Sequence, residues 1–111
     1  TVLWTLGGKY SNFTGSSFSW QHDARWHGPN TISLFDNAAS SWEETGEEAM
    51  GVILQLDFET MSVTQTNFTA PTGETSPSQG GFQKVFNGDG DVGGWLAGWG
   101  SAPYLTEFAM N

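Results

Sequence analysis

The sequence predicts an all-β fold built from antiparallel four-stranded sheets, arranged as blades of a β-propeller. Short runs of alternating apolar and polar residues recur along the chain, which is typical of strands. The 15 glycines supply turns between these runs. The four-strand pattern then starts again about 58 residues later, with Gln21 aligned on Gln79, as expected for propeller blades. The alternative is a self-contained β-sandwich of about eight strands.

The runs divide the chain into three parts in order. Residues 1–8 are predicted as the last strand of a preceding blade, residues 17–70 as one blade, and residues 77–111 as part of the next. The strands of the central blade are predicted at residues 20–26, 31–36, 51–59 and 62–68. The acidic stretch 38–50 is predicted as a solvated loop, with a helical turn around residues 41–44 as an option.

The length of the chain limits how much of a propeller it can form. A blade takes about 40–50 residues and a closed ring about four to eight blades, so 111 residues supply about two blades. We therefore expect the chain to belong to a longer parent propeller and to need its other blades. Alone, we expect it to be inactive and unstable, because open sheet faces and edges lack partners.

Composition excludes several classes of partner. With three lysines and arginines and a net charge of −9, the chain lacks the basic patch that nucleic acid or an anionic membrane surface requires. It has no run of about 20 apolar residues that would span a membrane, and no cysteine for a disulfide. The two Asn-X-Thr sequons at Asn12 and Asn67 predict surface glycosylation sites in a secreted protein.

The first strand of the central blade carries the candidate chemistry. Strict alternation places His22 in mid-strand on the face of Trp20 and Trp26. The same alternation places Arg25 on the opposite face, where Asp23 or another acid is its expected partner. From the residues alone, His22 is either a buried histidine among tryptophans or a catalytic group, and the tryptophans are either core or an aromatic rim for an aryl substrate.

No metal site is predicted. His27 lies in the turn His27-Gly28-Pro29-Asn30 and is predicted to be a solvated loop residue. The segment 87–91, NGDGD, is rich in oxygen ligands, but Val92 and Gly98 stand where an EF-hand needs glycine and glutamate. It is predicted to be a glycine-rich hairpin turn instead.

Five segments in order give the chain a family resemblance: WTLGGK (4–9), FSWQHDAR (18–25), ISLFDN (32–37), SQGGFQ (78–83) and GWG (98–100). Together they resemble the arylsulfotransferase family, in its fungal secreted branch, over nearly the whole chain. The resemblance implies a six-bladed propeller. It also implies transfer of a sulfuryl group from a phenolic sulfate ester to a phenol, without a nucleotide sulfate donor or other cofactor.

In the bacterial members of that family a histidine on a funnel-lining strand accepts the sulfuryl group covalently, in a Gln-His segment shortly before a Phe-Asp-Asn segment. On motif position this histidine corresponds to His22. An acceptor must then hold the second imidazole nitrogen, and Asp23 and Asp36 are the candidates. Asp36, across the turn, is the better placed. Arg25 and Trp20 are the further candidates for binding or orienting the substrate.

Two functions of different classes follow. The first is an enzyme: the intact parent is an arylsulfotransferase-like protein that uses His22 as nucleophile. The second is a noncatalytic secreted propeller that binds a partner or glycan, or serves structurally outside the cell. The presence of further histidines and an arginine at blade starts elsewhere in the parent would favour the enzyme.

Overall fold

The structure is a computed structural model that describes residues 1–38, 48–71, 73 and 75–110. The optional helical turn at residues 41–44 lies outside these residues. The regular structure of the described residues is all β: β1 (Gln21–Trp26), β2 (Thr31–Asp36), β3 (Met50–Asp57), β4 (Ser62–Thr69), β5 (Gly81–Phe86), β6 (Val92–Gly98) and β7 (Leu105–Ala109). Within the described ranges, no helix is long and apolar enough to cross a bilayer.

The strands form two antiparallel sheets. Strands β1 to β4 make a four-stranded sheet in chain order, and β5 to β7 make a three-stranded sheet, also in chain order. The predicted antiparallel four-strand meander is therefore confirmed, with strand bounds within one or two residues of those expected. Short turns suffice because each strand pairs with its sequence neighbour.

The second sheet also follows the sequence pattern. Strands β5 and β6 pair through the glycine-rich turn at residues 87–91, where the Asn87 amide donates to the Asp91 carbonyl oxygen at 2.7 Å. This confirms the hairpin predicted there. Within the described part of the chain, no group of three or more His, Cys, Asp or Glu side chains could hold a metal ion.

The four-stranded sheet packs against other parts of the chain on both faces. Strand β3 shows why: Val52, Leu54 and Leu56 point to one face and are at most 4% exposed, whereas Ile53 points to the other. The first face packs against side chains from residues 1–18. The second face packs against the three-stranded sheet in a largely aromatic core. Burying each such side chain contributes about 1.5–3 kcal/mol.

The first eight residues differ from their prediction. Residues 1–8 form no strand. Side chains of this segment instead pack on the outer face of the four-stranded sheet, which is the face of Val52, Leu54 and Leu56. The ring of Trp4 lies edge-on to Phe13, Trp26 and Phe58, with centroids 5.4, 6.2 and 6.0 Å away. Such aromatic contacts tie the segment to the sheet without a ladder of backbone hydrogen bonds.

Candidate functional site

A β-bulge in β1 decides which side chains share a face at the candidate site. His22 pairs with Phe35 and Arg25 pairs with Ser33, so three steps along β1 match two along β2. Asp23 takes the left-handed backbone conformation, with φ 58°, which is the geometry of such an extra residue. Residues paired across strands share a face. Since Phe35 and Ser33 lie two apart on β2, His22 and Arg25 therefore lie on the same face.

The alternation predicted for β1 is wrong on this point. Arg25 was expected on the face opposite His22, and Trp26 on the same face as His22. After the bulge the parity reverses, and Trp26 pairs with Ile32 on the outer face. The strand therefore presents a histidine and a guanidinium together on the side of the second sheet, while Trp26 joins the aromatic cluster around Trp4.

Asp23 fixes Arg25 in place. Its Oδ1 accepts a hydrogen bond from Arg25 Nε at 2.7 Å, which confirms Asp23 as the partner of Arg25. Its Oδ2 accepts the backbone amide of Phe82 on β5 at 3.3 Å. The Arg25 side chain is 56% exposed. One carboxylate thus links the bulge to the second sheet and holds the guanidinium through Nε.

His22 is exposed, and one of its ring nitrogens is held. Nδ1 lies 2.5 Å from Oδ1 of Asn37, the residue directly after β2. Asn37 is fully buried, and its Nδ2 donates to the backbone oxygens of Ser76 at 2.8 Å and Gln79 at 2.7 Å. Nε2 of His22 makes no hydrogen bond among the described residues.

The structure thus corrects the expectation that Asp36 holds His22. Asp36 pairs with Gln21 in the ladder and lies on the opposite face. Its Oδ1 accepts the backbone amides of Ser19 at 3.2 Å and Ala38 at 2.8 Å. Ala38 in turn donates its amide to the Ser19 carbonyl oxygen. The buried carboxylate therefore anchors the chain entering β1 to the end of β2, next to the histidine.

His27 is not the solvated loop residue that the sequence predicts. It is half-buried, its Nε2 lies 2.6 Å from the buried Ser33 Oγ, and its ring lies edge-on to Trp95 of β6 at 5.4 Å. Burial lowers its pKa from the ordinary value, and the cations Lys84 and Arg25 lower it further. His27 is a contact between the two sheets, and its environment favours the neutral ring.

The tryptophans take different positions. Trp20, just before β1, is 39% exposed and has a left-handed φ of 55°. Trp99 is fully buried beside Phe35, with its Nε1 donating to Thr106 Oγ1 at 2.8 Å. Trp99 is therefore core, whereas Trp20 presents part of its ring to solvent at the start of the strand that carries His22.

Segments far apart in sequence meet beside Asn37. Gly80 has φ 106°, and a β-carbon there would lie 2.4 Å from the Phe35 ring. Gly100 has φ 65°, and a β-carbon there would lie 2.3 Å from the Ser78 carbonyl oxygen. Only glycine fits these left-handed, crowded positions. Residues 35–37, 78–80 and 98–100 thus form one packed seam.

A cleft lies along this seam rather than at His22. It has a volume of about 440 Å³ and is lined by residues 79–81, 98–100 and 102–105. Its lining includes neither His22 nor Arg25. The histidine is instead on an exposed strand at the edge of its sheet.

The sequence did not identify Asn37 as the contact of His22. It also did not identify the Ser76 and Gln79 carbonyl oxygens as the contacts of Asn37. The signal was present, since Asn37 and Gln79 both belong to the segments that carry the family resemblance.

The sequon residues are both exposed. Asn12 lies in a loop, where its Oδ1 accepts the Thr5 amide at 2.7 Å, and Asn67 lies within β4.

The fold and the site define an all-β protein of two antiparallel sheets with an exposed histidine held through one ring nitrogen. Comparison with protein families gives one that matches the whole chain, described as arylsulfotransferase (ASST), over residues 1–111. The chain belongs to the arylsulfotransferase (ASST) family. Searches of curated proteins and of solved structures returned no match.

Proposed function

We propose that the protein carrying this chain transfers a sulfuryl group from a phenolic sulfate ester to a phenol, with His22 as the covalent acceptor. Family membership over residues 1–111 supports the reaction class. The observation that carries the residue assignment is the exposed His22, with Nδ1 engaged by Asn37 and Nε2 without a hydrogen bond among the described residues. A neutral imidazole of this kind is a competent nucleophile.

The reaction has two balanced steps. Nε2 attacks the sulfur of the aryl sulfate, the N–S bond forms, and the bond from sulfur to the phenolic oxygen breaks with its electron pair leaving as phenolate. The ring, now carrying hydrogen on Nδ1 and the sulfuryl group on Nε2, is formally cationic. In the second step an acceptor phenol attacks sulfur, the N–S bond breaks, and the neutral imidazole returns. The acceptor's proton passes through solvent to the phenolate released in the first step. The donor is an ester, so no nucleotide cofactor is required.

Arg25 is proposed to bind the sulfate oxygens. Sulfuryl transfer resembles phosphoryl transfer in spreading charge over equatorial oxygens, so it needs fixed cationic or N–H donors. The bulge places Arg25 on the face of His22, and Asp23 holds it by Nε. Trp20 offers an exposed ring to an aryl group. Asp36 contributes by anchoring the start of β1.

The two sheets are proposed to be neighbouring blades of a propeller, six-bladed as in the family that the sequence resembles. In support, each sheet is a meander in chain order, and the first strands β1 and β5 contact each other, as the innermost strands of adjacent blades do. His22 on β1 would then line the central funnel. We propose a secreted location on the two sequons, Asn12 and Asn67.

The test is turnover by the full-length protein on a panel of aryl sulfate esters with a phenol acceptor, followed by release of a coloured phenol. His22→Asn should keep the fold and lose several orders of magnitude in kcat, as when other covalent nucleophiles are removed. His27→Gln is the matched control, because it exchanges a histidine that contacts Ser33 Oγ and the Trp95 ring instead of Asn37. Wild-type turnover by His22→Asn would make the nucleophile assignment wrong. Inactivity of the wild type on the whole panel would favour the noncatalytic propeller.

A further inference from the structure

The feature that carries a further inference is the buried amide of Asn37. Its Nδ2 lies 2.8 Å from the Ser76 carbonyl oxygen and 2.7 Å from that of Gln79. Carbonyl oxygens only accept hydrogen bonds, so the amide must present its NH2 group to them. Turning the amide over would place an oxygen against two oxygens in a fully buried position, which is costly. Oδ1 therefore faces His22.

The amide orientation determines which nitrogen of His22 carries hydrogen. Oδ1 of Asn37 has no proton to donate, so the short contact of 2.5 Å requires Nδ1 of His22 to be the donor. In the neutral ring the hydrogen then lies on Nδ1, and Nε2 has the free electron pair. This is the tautomer that presents a nucleophilic nitrogen on the exposed side of the ring.

The loop that carries the Ser76 and Gln79 carbonyl oxygens is itself held in place at Ser78. Ser76 Oγ donates to the Ser78 carbonyl oxygen at 3.1 Å, and the Ser101 amide donates to the same oxygen at 3.1 Å. Gln79 takes a left-handed φ of 62°, and its carbonyl oxygen accepts Asn37 Nδ2. The loop that orients Asn37 is thus fixed by the turn at the end of β6, across the seam from β1.

We infer that Asn37, oriented by the Ser76 and Gln79 carbonyl oxygens, is a positioning residue that holds His22 in the Nδ1–H tautomer. As a role in catalysis this rests on the proposed function. When Nε2 takes the sulfuryl group the ring becomes cationic, and a hydrogen bond from a cationic donor is stronger than a neutral one. Asn37 therefore stabilises the charge that develops during transfer more than it stabilises the resting ring, which is what accelerates a chemical step.

An amide suits this position better than a carboxylate. An ionised Asp at position 37 would direct one oxygen toward two carbonyl oxygens and bury a charge, so it would stay protonated. A protonated Asp keeps its C=O on Nδ1 and donates its single O–H to one of the two carbonyl oxygens that the amide NH2 contacts. Asn37→Asp is therefore a conservative variant that retains the acceptor, whereas Asn37→Leu has a similar volume and no acceptor.

The experiment reads the tautomer directly, by long-range proton–nitrogen correlation spectroscopy on the 15N-labelled full-length protein, at a pH well above about 6.5, the ordinary pKa of a histidine. His22→Asn identifies the His22 signal by its loss. In the wild type the His22 signal should show hydrogen on Nδ1 and a bare Nε2. A wild-type signal with hydrogen on Nε2 overturns the inference, whether or not the protein turns over aryl sulfates.

The variants then separate positioning from packing. Asn37→Leu should shift His22 toward the Nε2–H tautomer and lower kcat about 10²- to 10⁴-fold with little change in KM. Losing a group that orients a catalytic side chain, or fixing the wrong tautomer, costs that much elsewhere. Asn37→Asp should keep the Nδ1–H signal and regain part of kcat. Asn67→Leu, the same exchange at an exposed position of β4, should change neither readout.

An unchanged tautomer in Asn37→Leu overturns the inference. If Asn37→Leu does not fold, the tautomer of His22 in the wild type and in Asn37→Asp decides the question. The Nε2–H form in either protein contradicts the inference. Absence of wild-type turnover counts against the proposed reaction alone.

Discussion

The ring of Phe82 in the second sheet lies directly over Gly51 in the first, so that a β-carbon built at Gly51 would lie 2.3 Å from the ring. Phe82 is fully buried and stacks on Trp95 with centroids 4.9 Å apart and planes at 11°. The ring therefore cannot move aside into solvent. The distance between the two sheets depends on the missing side chain at Gly51.

We predict that Gly51→Ala destabilises the protein although glycine is otherwise unfavourable within a strand. The backbone of Gly51 is not left-handed, so only space opposes the methyl group. Overpacking of this kind costs about 1–3 kcal/mol in the free energy of unfolding, measurable by urea denaturation of the full-length protein.

Gly88→Ala is the matched control for Gly51→Ala. A β-carbon at Gly88, in the exposed turn between β5 and β6, meets no atom within 4 Å, and its φ is not left-handed. The control should leave the urea midpoint nearly unchanged. Equal midpoints for the two alanine variants would show that the sheets do not pack as closely as described.

We predict that Arg25→Gln weakens the interaction with aryl sulfates. Hydrogen bonds to charged groups contribute about 1.5–3 kcal/mol, so kcat/KM should fall about 10- to 100-fold. Arg25→Lys should recover only part of this loss, because a lysine lacks the planar guanidinium that donates from Nε to Asp23 and has further N–H groups for sulfate oxygens. Steady-state kinetics with a series of aryl sulfates measures both variants.

Lys9→Gln provides the control for the loss of one positive charge. Lys9 lies in the N-terminal loop, where its ammonium group is 5.3 Å from the ring centre of Tyr10. Its removal changes net charge as Arg25→Gln does, without touching β1. If both variants lower kcat/KM equally, the effect comes from overall charge, and Arg25 has no specific role in substrate binding.

The sheets could be predicted from the sequence because their information is local. In β3 the buried Val52, Leu54 and Leu56 alternate with exposed or half-buried neighbours, and this pattern alone indicates a half-buried strand. The turn after it is equally local, since Asp57 Oδ1 accepts the amides of Thr60 and Glu59. These hydrogen bonds, with that of Thr60 the larger cause, lower the pKa of Asp57.

The site could be predicted only in part because its geometry depends on distant contacts. His22 was found from its motif, but the bulge at Asp23 reversed the faces of the residues after it. An aspartate tolerates the left-handed conformation without requiring it, so the sequence gives no sign of the extra residue. His27 is covered by Trp95 and Asn37 is oriented by Gln79, each more than 40 positions away.

We predict a glycan on Asn12 when the protein is expressed in a secretory host. Asn12 is exposed, and its Oδ1 accepts the Thr5 amide, so Nδ2 remains for the sugar. Asn67 is also exposed but lies within β4, where its Oδ1 accepts Gln65 Nε2 at 2.8 Å. We therefore expect lower occupancy at Asn67, because a strand is a poorer acceptor than a loop.

Intact-mass measurement before and after glycosidase treatment tests the prediction on the sequons. Asn12→Gln should remove most of the mass shift, and Asn67→Gln should remove less of it. A wild-type protein whose mass does not change on treatment would count against a secreted location. A larger loss from Asn67→Gln than from Asn12→Gln would reverse the order of the two sites.

The final prediction concerns the pH dependence of stability through His27. Burial, followed by the nearby cations Lys84 and Arg25, lowers the pKa of His27 in the folded protein, whereas the unfolded chain keeps a value near 6.5. The unfolded state therefore binds the proton more readily, and stability increases with pH across this interval. The contribution of the neutral ring is complete above about pH 6.5 and is lost as the pH falls through the folded-state pKa.

Thermal unfolding of the full-length protein between about pH 7.5 and 5.5 measures this contribution by comparison with His27→Gln. His22 and the carboxylates are present in both proteins, so the difference between the two Tm curves isolates His27. The wild type should lose more Tm than His27→Gln as the pH falls. Lys84→Gln should reduce that loss, because removing a cation that opposes protonation brings the folded-state pKa nearer the unfolded value. Parallel curves for wild type and His27→Gln would show that the inter-sheet contact with Ser33 and Trp95 does not depend on a neutral ring.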